Sequence, residues 1–167
     1  MEEQTVVTLS TLKNHVECDT IFSEAKRIKE THFPELAEQI VYLGITGYLR
    51  KDGAVANVDV ENNVTRFNLY AHISKTVIYH ELMHCVQWRN PEMPKTEEYC
   101  SIAATARMPA EEVDSNEIAY IVCERKIPVT DFPAACRQAL AYAKNGHKNY
   151  IQHLKLILSG EIKLNEI

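Results

Sequence analysis

The chain is short of several features that mark particular classes of protein. Its 167 residues include only 5 cysteines, 5 glycines and 1 tryptophan, and no CxxC pair occurs. An odd number of unclustered cysteines argues against a disulfide framework and against a cysteine-rich structural zinc site. We therefore expect buried free thiols in a reducing compartment.

Long apolar runs and basic clusters are also missing. No stretch approaches the roughly 18 apolar residues of a membrane-spanning helix, and the first residues, MEEQTVVTLS, do not resemble a secretory signal. The formal net charge is −5, with no dense run of lysine and arginine to offset it. These absences predict a cytoplasmic protein whose partners include neither nucleic acid nor membrane, and they leave the oligomeric state open.

Periodicity in the first half of the chain predicts a helix and then a small sheet. The length suits a single domain over residues 1–167. Residues 19–39 have helical spacing, with Asp19 as a candidate cap and Pro34 as a kink. Residues 40–70 are rich in β-branched and aromatic side chains and contain two turn signals. They predict three short antiparallel strands.

Helical spacing dominates the second half of the chain. The predicted helices cover residues 73–89, 96–107, 109–126, 131–145 and 149–159. Ser74 and Thr96 are suitable N-caps, and Gly146 and Gly160 suit helix ends. The predicted fold is α+β: a small antiparallel sheet, three-stranded or mixed, packs on the helix of residues 73–89, and several helices follow.

One motif in the chain carries recognisable chemistry. The segment YHELMHC contains HExxH, with His80, Glu81 and His84 in the three defined positions. Histidines at i and i+4 share one helix face, so both imidazoles can bind one zinc ion. Glu81 follows His80 by about 100° of rotation, which suits a general base beside the metal. The apolar flanks predict that this helix is buried.

A catalytic zinc site normally needs a third protein ligand. The metzincin pattern HExxHxxGxxH is absent, since Gln87 and Asn90 stand where it requires glycine and histidine. An acid on a following helix is the next candidate. We favour Glu117, which the predicted helix places on a half-buried face together with Val113. Asp114, Glu112 and a histidine stay open as alternatives.

HELMH followed by Ser115-Asn116-Glu117-Ile118-Ala119 resembles the gluzincin group of zinc peptidases. The resemblance covers about residues 64–126, and the size is closer to the compact minigluzincins than to the two-domain enzymes. It implies a zincin-like fold, one zinc per chain held by His80, His84 and Glu117, and Glu81 as the base. It also implies that the strand VTRFNLY is an edge strand that pairs with an extended substrate.

The chain departs from this family at one position. Thermolysin-like members carry an aspartate four residues after the ligand glutamate, where it braces a zinc-binding histidine, and Ile121 stands there here. Asp114 or Glu124 is a candidate substitute brace. The developing oxyanion also needs a second electrophile. The candidates for that role are Tyr120, Tyr142, His147 and Tyr150.

The resulting functional prediction is a zinc-dependent metallopeptidase. It would hydrolyse a peptide or protein substrate by Glu-assisted attack of zinc-bound water. The alternative is a latent or non-catalytic zincin-fold regulatory or binding module. In its latent form, a C-terminal tail of roughly residues 147–167 would cover the cleft, with His147, His153, Glu161 or Glu166 plugging the metal.

Overall fold

The computed structural model describes residues 6–8, 16–46, 55–68, 72–113 and 127–165. Its contacts divide the chain into two compact units, Met1–Met93 and Pro94–Ile167, which we call the N-terminal unit and the C-terminal unit. The predicted single domain over residues 1–167 stays a prediction, and each unit is described by itself.

The N-terminal unit contains a mixed four-stranded sheet. Its strands are β1 (Val6–Thr8), β2 (Val41–Thr46), β3 (Ala56–Asp59) and β4 (Val64–Asn68), in the order β1-β2-β4-β3. The pairs β1–β2 and β2–β4 are parallel, and only β3–β4 is antiparallel. The α+β class and the mixed sheet are confirmed. The expectation of three mutually antiparallel strands is wrong, because β2 skips its sequence neighbour and pairs with β4.

A tight turn creates the β3–β4 hairpin. Asn63 has a φ of 54°, in the left-handed region that asparagine tolerates better than most residues. The Asp59 carboxylate accepts hydrogen bonds from the backbone N–H of Asn62 at 3.3 Å and from its side-chain amide at 3.1 Å. The predicted turn at Glu61-Asn62-Asn63 is therefore confirmed, whereas the turn predicted at residues 51–53 lies outside the described residues.

Strand order corrects the predicted substrate edge. β4 carries the sequence VTRFN and lies between β2 and β3, so both of its sides are hydrogen-bonded. Thr65 and Phe67 point to the same face of β4 and are each 1% exposed, so that face is covered. Within the described part of the chain, β3 is the last strand on this side of the sheet. Within the described residues, the edge strands of this sheet are therefore β1 and β3, and β4 is not an edge strand.

Two helices complete the N-terminal unit. Helix α1 runs over Val16–His32 and is followed by a 3₁₀ turn at Pro34–Leu36, because the residue before a proline disfavours the helical conformation. Helix α2 runs over Lys75–Arg89. The Ser74 hydroxyl caps α2 by accepting a hydrogen bond from Val77 N–H at 3.3 Å, as predicted.

Helix α2 is the most buried helix of this unit. Tyr79 is completely buried and packs its ring against Phe33 and His32, at centroid distances of 5.8 and 5.3 Å. The other buried apolar residues of α2 are Ile78, Leu82, Met83, Cys85 and Val86. This burial fixes the rotation of α2 about its axis and so determines where its polar side chains point.

The C-terminal unit contains helices α3 (Glu97–Thr105), α4 (Phe132–Lys144) and α5 (Tyr150–Leu158). The Thr96 hydroxyl accepts a hydrogen bond from Tyr99 N–H, as its predicted N-cap role requires. Gly146 and Gly160 have φ values of 88° and 77° and follow the ends of α4 and α5. The core of this unit consists of Ile102, Ala106, Phe132, Ala135, Cys136, Ala139, Leu154, Ile157 and Leu158.

The helix predicted over residues 109–126 does not begin as expected. Ala110–Glu112 form a 3₁₀ turn, and Val113 then adopts an extended conformation with φ −77° and ψ 116°. Val113 is therefore not helical, although the sequence argument placed it in a helix. Residues 114–126 lie outside the described part of the chain. Among the described helices, none has the length and apolar character needed to cross a membrane.

Candidate metal centre

His80 and His84 point their imidazoles at the same place. They lie one turn apart on α2, and their Nε2 atoms are 3.1 Å from each other. The ring centroids are 4.7 Å apart and the ring planes are nearly perpendicular, at 87°. Both side chains are half-buried, so they are held in position without being sealed from solvent. The motif's prediction that the two histidines converge is confirmed.

The spacing of these nitrogens fits a shared zinc ion. Two nitrogens bound to one tetrahedral zinc at about 2.0–2.1 Å lie about 3.3 Å from each other. The observed Nε2–Nε2 distance of 3.1 Å is within a few tenths of that separation. Imidazole nitrogen is also among the donors that zinc prefers. Geometry and donor chemistry together make this pair suitable for zinc.

Glu81 lies between the two histidines in sequence and is only 6% exposed. A glutamate is seldom buried to this extent, because its charged form is strongly hydrated in water. The helical rotation turns its side chain about 100° away from that of His80. Glu81 can therefore flank an ion held by the histidines without being one of its ligands, as a general base must.

Gln87 contacts His84 at the ring nitrogen that does not face His80. Its Oε1 atom lies 3.0 Å from Nδ1 of His84, and Gln87 is 2% exposed. Sequence reasoning did not single out this residue, although side chains three positions apart on a helix are neighbours. The i+3 spacing after the second histidine was the signal that could have identified it.

Cys85, the next residue after His84, is a buried free thiol. Burial raises the pKa of this thiol to about 11, because the thiolate would lose its hydration. The positive charge of Arg89 opposes this rise in pKa, and the negative charge of the Glu81 carboxylate adds to it by a smaller amount. At neutral pH Cys85 is a neutral packing residue, which excludes it as a thiolate nucleophile.

The third ligand stays a prediction. Glu117 and Asp114 lie outside the described residues. Glu112 is described and half-buried, and it belongs to the 3₁₀ turn Ala110–Glu112. The sequence argument placed Glu117 on a half-buried helix face together with Val113, and the extended conformation of Val113 weakens that argument. The remaining support for Glu117 is the resemblance of Asn116-Glu117 to the Asn-Glu pair of gluzincins.

Three of the four oxyanion candidates have aromatic contacts within the C-terminal unit. Tyr142 stacks on His147 and on His153, each at a centroid distance of 4.1 Å. Tyr150 contacts Tyr99 edge-on at 6.0 Å, and burial raises the pKa of Tyr150. These contacts supply packing roles for Tyr142, His147 and Tyr150. Tyr120 lies outside the described residues, and the oxyanion role stays a prediction for all four.

Trp88 lies one turn beyond His84 on α2 and is 51% exposed. Trp88 is therefore not part of the buried core of the N-terminal unit. Its ring is an exposed apolar surface on the helix that carries the histidines.

Comparisons with known proteins give no independent information on function beyond the HExxH motif. A scan against models of known protein families found no match, and searches of curated proteins and of solved structures found none either. The gluzincin resemblance therefore rests on HELMH and the downstream Asn-Glu pair.

Proposed function

We propose that the protein is a zinc-dependent metallopeptidase of gluzincin type, with one zinc ion per chain bound by His80, His84 and Glu117. The observation that carries this proposal is the 3.1 Å approach of the two Nε2 atoms on a helix that also buries Glu81. An accidental HExxH on a solvated helix face would need neither the convergence nor the burial.

The side chains of α2 have distinct tasks in this reaction. Zinc, when bound, supplies a positive charge that acidifies water and polarises a carbonyl group. His80 and His84 hold and orient the ion through Nε2. The Glu81 carboxylate accepts a proton from the attacking water and then transfers it to the nitrogen of the leaving amine. Burial of Glu81 excludes bulk water from this proton transfer.

Strand β3 is the favoured place for the substrate backbone. It contacts α2, and it is the last strand on its side of the described sheet. Its outer backbone groups can pair with an extended peptide by β-augmentation. The preferred substrate is accordingly a peptide or an unfolded protein segment that can lie extended along Ala56–Asp59. This assignment replaces VTRFNLY as the proposed substrate strand.

Cytoplasmic localisation also remains part of the proposal. Cys85 is a completely buried free thiol. A buried thiol of this kind is compatible with a reducing compartment.

Metal content is the first test. Wild type, His84→Ala and Glu117→Ala would be purified without a metal-affinity tag, reconstituted with zinc and assayed by elemental analysis. We expect about one zinc per chain in wild type and a sharp loss in both variants. Zinc retained by Glu117→Ala would move the third ligand to Asp114, Glu112 or a histidine. A wild-type protein that binds no zinc would refute the proposal.

Cleavage of a diverse peptide library, followed by mass spectrometry, tests turnover. Glu81→Gln is the matched variant, because it keeps the shape of the side chain and the two histidines but cannot accept the proton. We expect it to bind zinc normally and to lose roughly 10²- to 10⁴-fold in cleavage rate. Stoichiometric zinc with equal, negligible cleavage by wild type and Glu81→Gln would instead favour the non-catalytic module.

A further inference from the structure

We propose that Gln87 is a positioning residue that fixes the tautomer of His84, with the proton on Nδ1 and the lone pair on Nε2. The inference rests on the proposed function insofar as the lone pair serves a metal ion. Its structural basis is the 3.0 Å contact between Gln87 Oε1 and His84 Nδ1 within α2.

The chemistry of the contact determines where the proton lies. A neutral imidazole carries one proton, on either Nδ1 or Nε2, and an amide oxygen can only accept a hydrogen bond. With Oε1 facing Nδ1, His84 must donate from Nδ1, which leaves Nε2 without a proton. That Nε2 atom is the one that lies 3.1 Å from Nε2 of His80. Gln87 therefore prepares His84 as a ligand before any ion arrives.

Gln87 and His84 lie on the same helix, so their contact needs no side chain from another element. Gln87 follows His84 by three residues, so the two side chains move together with α2. Braces of zinc-binding histidines commonly come from a partner elsewhere in the structure. In this chain, the position where the gluzincin resemblance would supply such an aspartate is occupied by Ile121.

The burial of Gln87 makes the hydrogen bonding of its amide important, because an amide without a partner is costly to bury. Gln87 is 2% exposed, among apolar residues of α2 such as Val86. A methionine has nearly the same length and could fill this space without burying an amide group. A glutamine is the better choice only where its oxygen or nitrogen has a task. At this position the oxygen faces His84.

Two substitutions of similar shape separate the roles of volume and acceptor oxygen. Gln87→Met keeps the volume and removes the acceptor, whereas Gln87→Glu keeps an acceptor oxygen beside Nδ1. Zinc affinity would be measured by competition with a chromophoric chelator. We expect Gln87→Met to bind zinc roughly 10- to 100-fold more weakly than wild type. Gln87→Glu should bind zinc at least as tightly as wild type, because a carboxylate that accepts the Nδ1 proton of His84 makes its Nε2 more basic.

The tautomer can be measured without zinc. Long-range ¹H–¹⁵N correlation spectra of the metal-free protein, recorded where the imidazoles are neutral, report which nitrogen of His84 carries the proton. We expect the Nδ1-protonated form in wild type and Gln87→Glu, and a shift toward the Nε2-protonated form in Gln87→Met. Thermal unfolding of each variant would show that its fold is retained.

The outcomes separate this inference from the proposed function. An unchanged tautomer and an unchanged zinc affinity in Gln87→Met would overturn the inference. It would also be overturned if Gln87→Glu lost the Nδ1-protonated form of His84 or bound zinc more weakly than wild type. If wild type bound no zinc, the proposed peptidase would be refuted, yet the ¹⁵N spectra would still decide whether Gln87 sets the tautomer.

Discussion

In α2, the residues of the HExxH motif lie directly beside residues of the core. Tyr79 is completely buried among aromatic rings, and His80 beside it is half-buried and faces His84. Glu81 turns inward again, and Leu82 and Met83 join the core. The helix can carry two histidines and a glutamate on so apolar a surface because the large side chains on its other faces fix its orientation.

Lys29 on α1 is a buried lysine whose replacement we expect to stabilise the protein. It is 0% exposed, and its Nζ has a long 3.5 Å contact with the Ala37 carbonyl oxygen. Burial lowers the pKa of this amine below the ordinary value of 10.5, against the opposing effect of Glu30 and Glu38. Lys29→Met should raise the free energy of unfolding at neutral pH by roughly 1 kcal/mol, since it removes the desolvation penalty of the charged form.

The pH dependence of this effect has a definite sign. Because the folded-state pKa is lowered, the penalty is fully present below it, and wild-type stability rises as pH increases toward the unfolded value of 10.5. Urea unfolding at neutral and alkaline pH should therefore show the advantage of Lys29→Met shrinking as pH rises. The control is Lys26→Met, because the Lys26 side chain is 41% exposed. A Lys29→Met protein less stable than wild type at neutral pH would contradict the argument.

At the scale of the element, local signals in the sequence define α2 and α3 well. Ser74 and Thr96 were predicted as N-caps, and both hydroxyls accept the expected hydrogen bond. Asn90 ends α2 immediately before Pro91, as predicted. Such signals act within one turn of the chain, so they hold in almost any tertiary setting.

We expect Ser74→Ala to reduce the free energy of unfolding by about 1 kcal/mol, because Val77 N–H loses its acceptor at the start of α2. Ser74→Asp is the matched comparison, since aspartate also caps helices and its charge suits a helix N-terminus. Equilibrium unfolding in urea measures both. The capping role would be rejected if Ser74→Asp were as destabilised as Ser74→Ala.

At the scale of the whole molecule, the C-terminal residues are part of a core. Residues Tyr150–Leu158 form α5, which packs against α4 and contributes three core residues that are 0% exposed: Leu154, Ile157 and Leu158. A tail that could simply be trimmed would lack such residues. Removal of residues 147–167 would therefore unfold much of the C-terminal unit, and latency needs a test that leaves α5 intact.

Leu154→Ala tests the importance of this helix to the C-terminal unit. We expect a loss of about 2–5 kcal/mol in the free energy of unfolding, because the substitution leaves a cavity beneath α5. Gln152→Ala on the exposed face of the same helix should change it by less than about 0.5 kcal/mol. Hydrogen exchange resolved by residue would locate the loss, and equal effects of the two variants would contradict the packing role of Leu154.

Features that depend on near neighbours in the chain could be predicted from the sequence alone. These include the converging histidines, the N-caps of α2 and α3, the Glu61-Asn62-Asn63 turn and the glycines that follow α4 and α5, since each depends on residues only a few positions apart. The predicted cap Asp19 is an exception, because α1 begins at Val16. The Gln87 contact was equally local, so it could have been predicted from its spacing alone.

The strand order, the exposure of Trp88 and the burial of Lys29 could not be predicted from the sequence, because they depend on distant parts of the chain. Periodicity predicts which face of a strand or helix is apolar, but it contains no information about which distant element covers that face. Strand order is set by hydrogen bonds between segments that can be far apart in the chain. In the described sheet these bonds place β4 between β2 and β3, so β3 and not β4 is an edge strand.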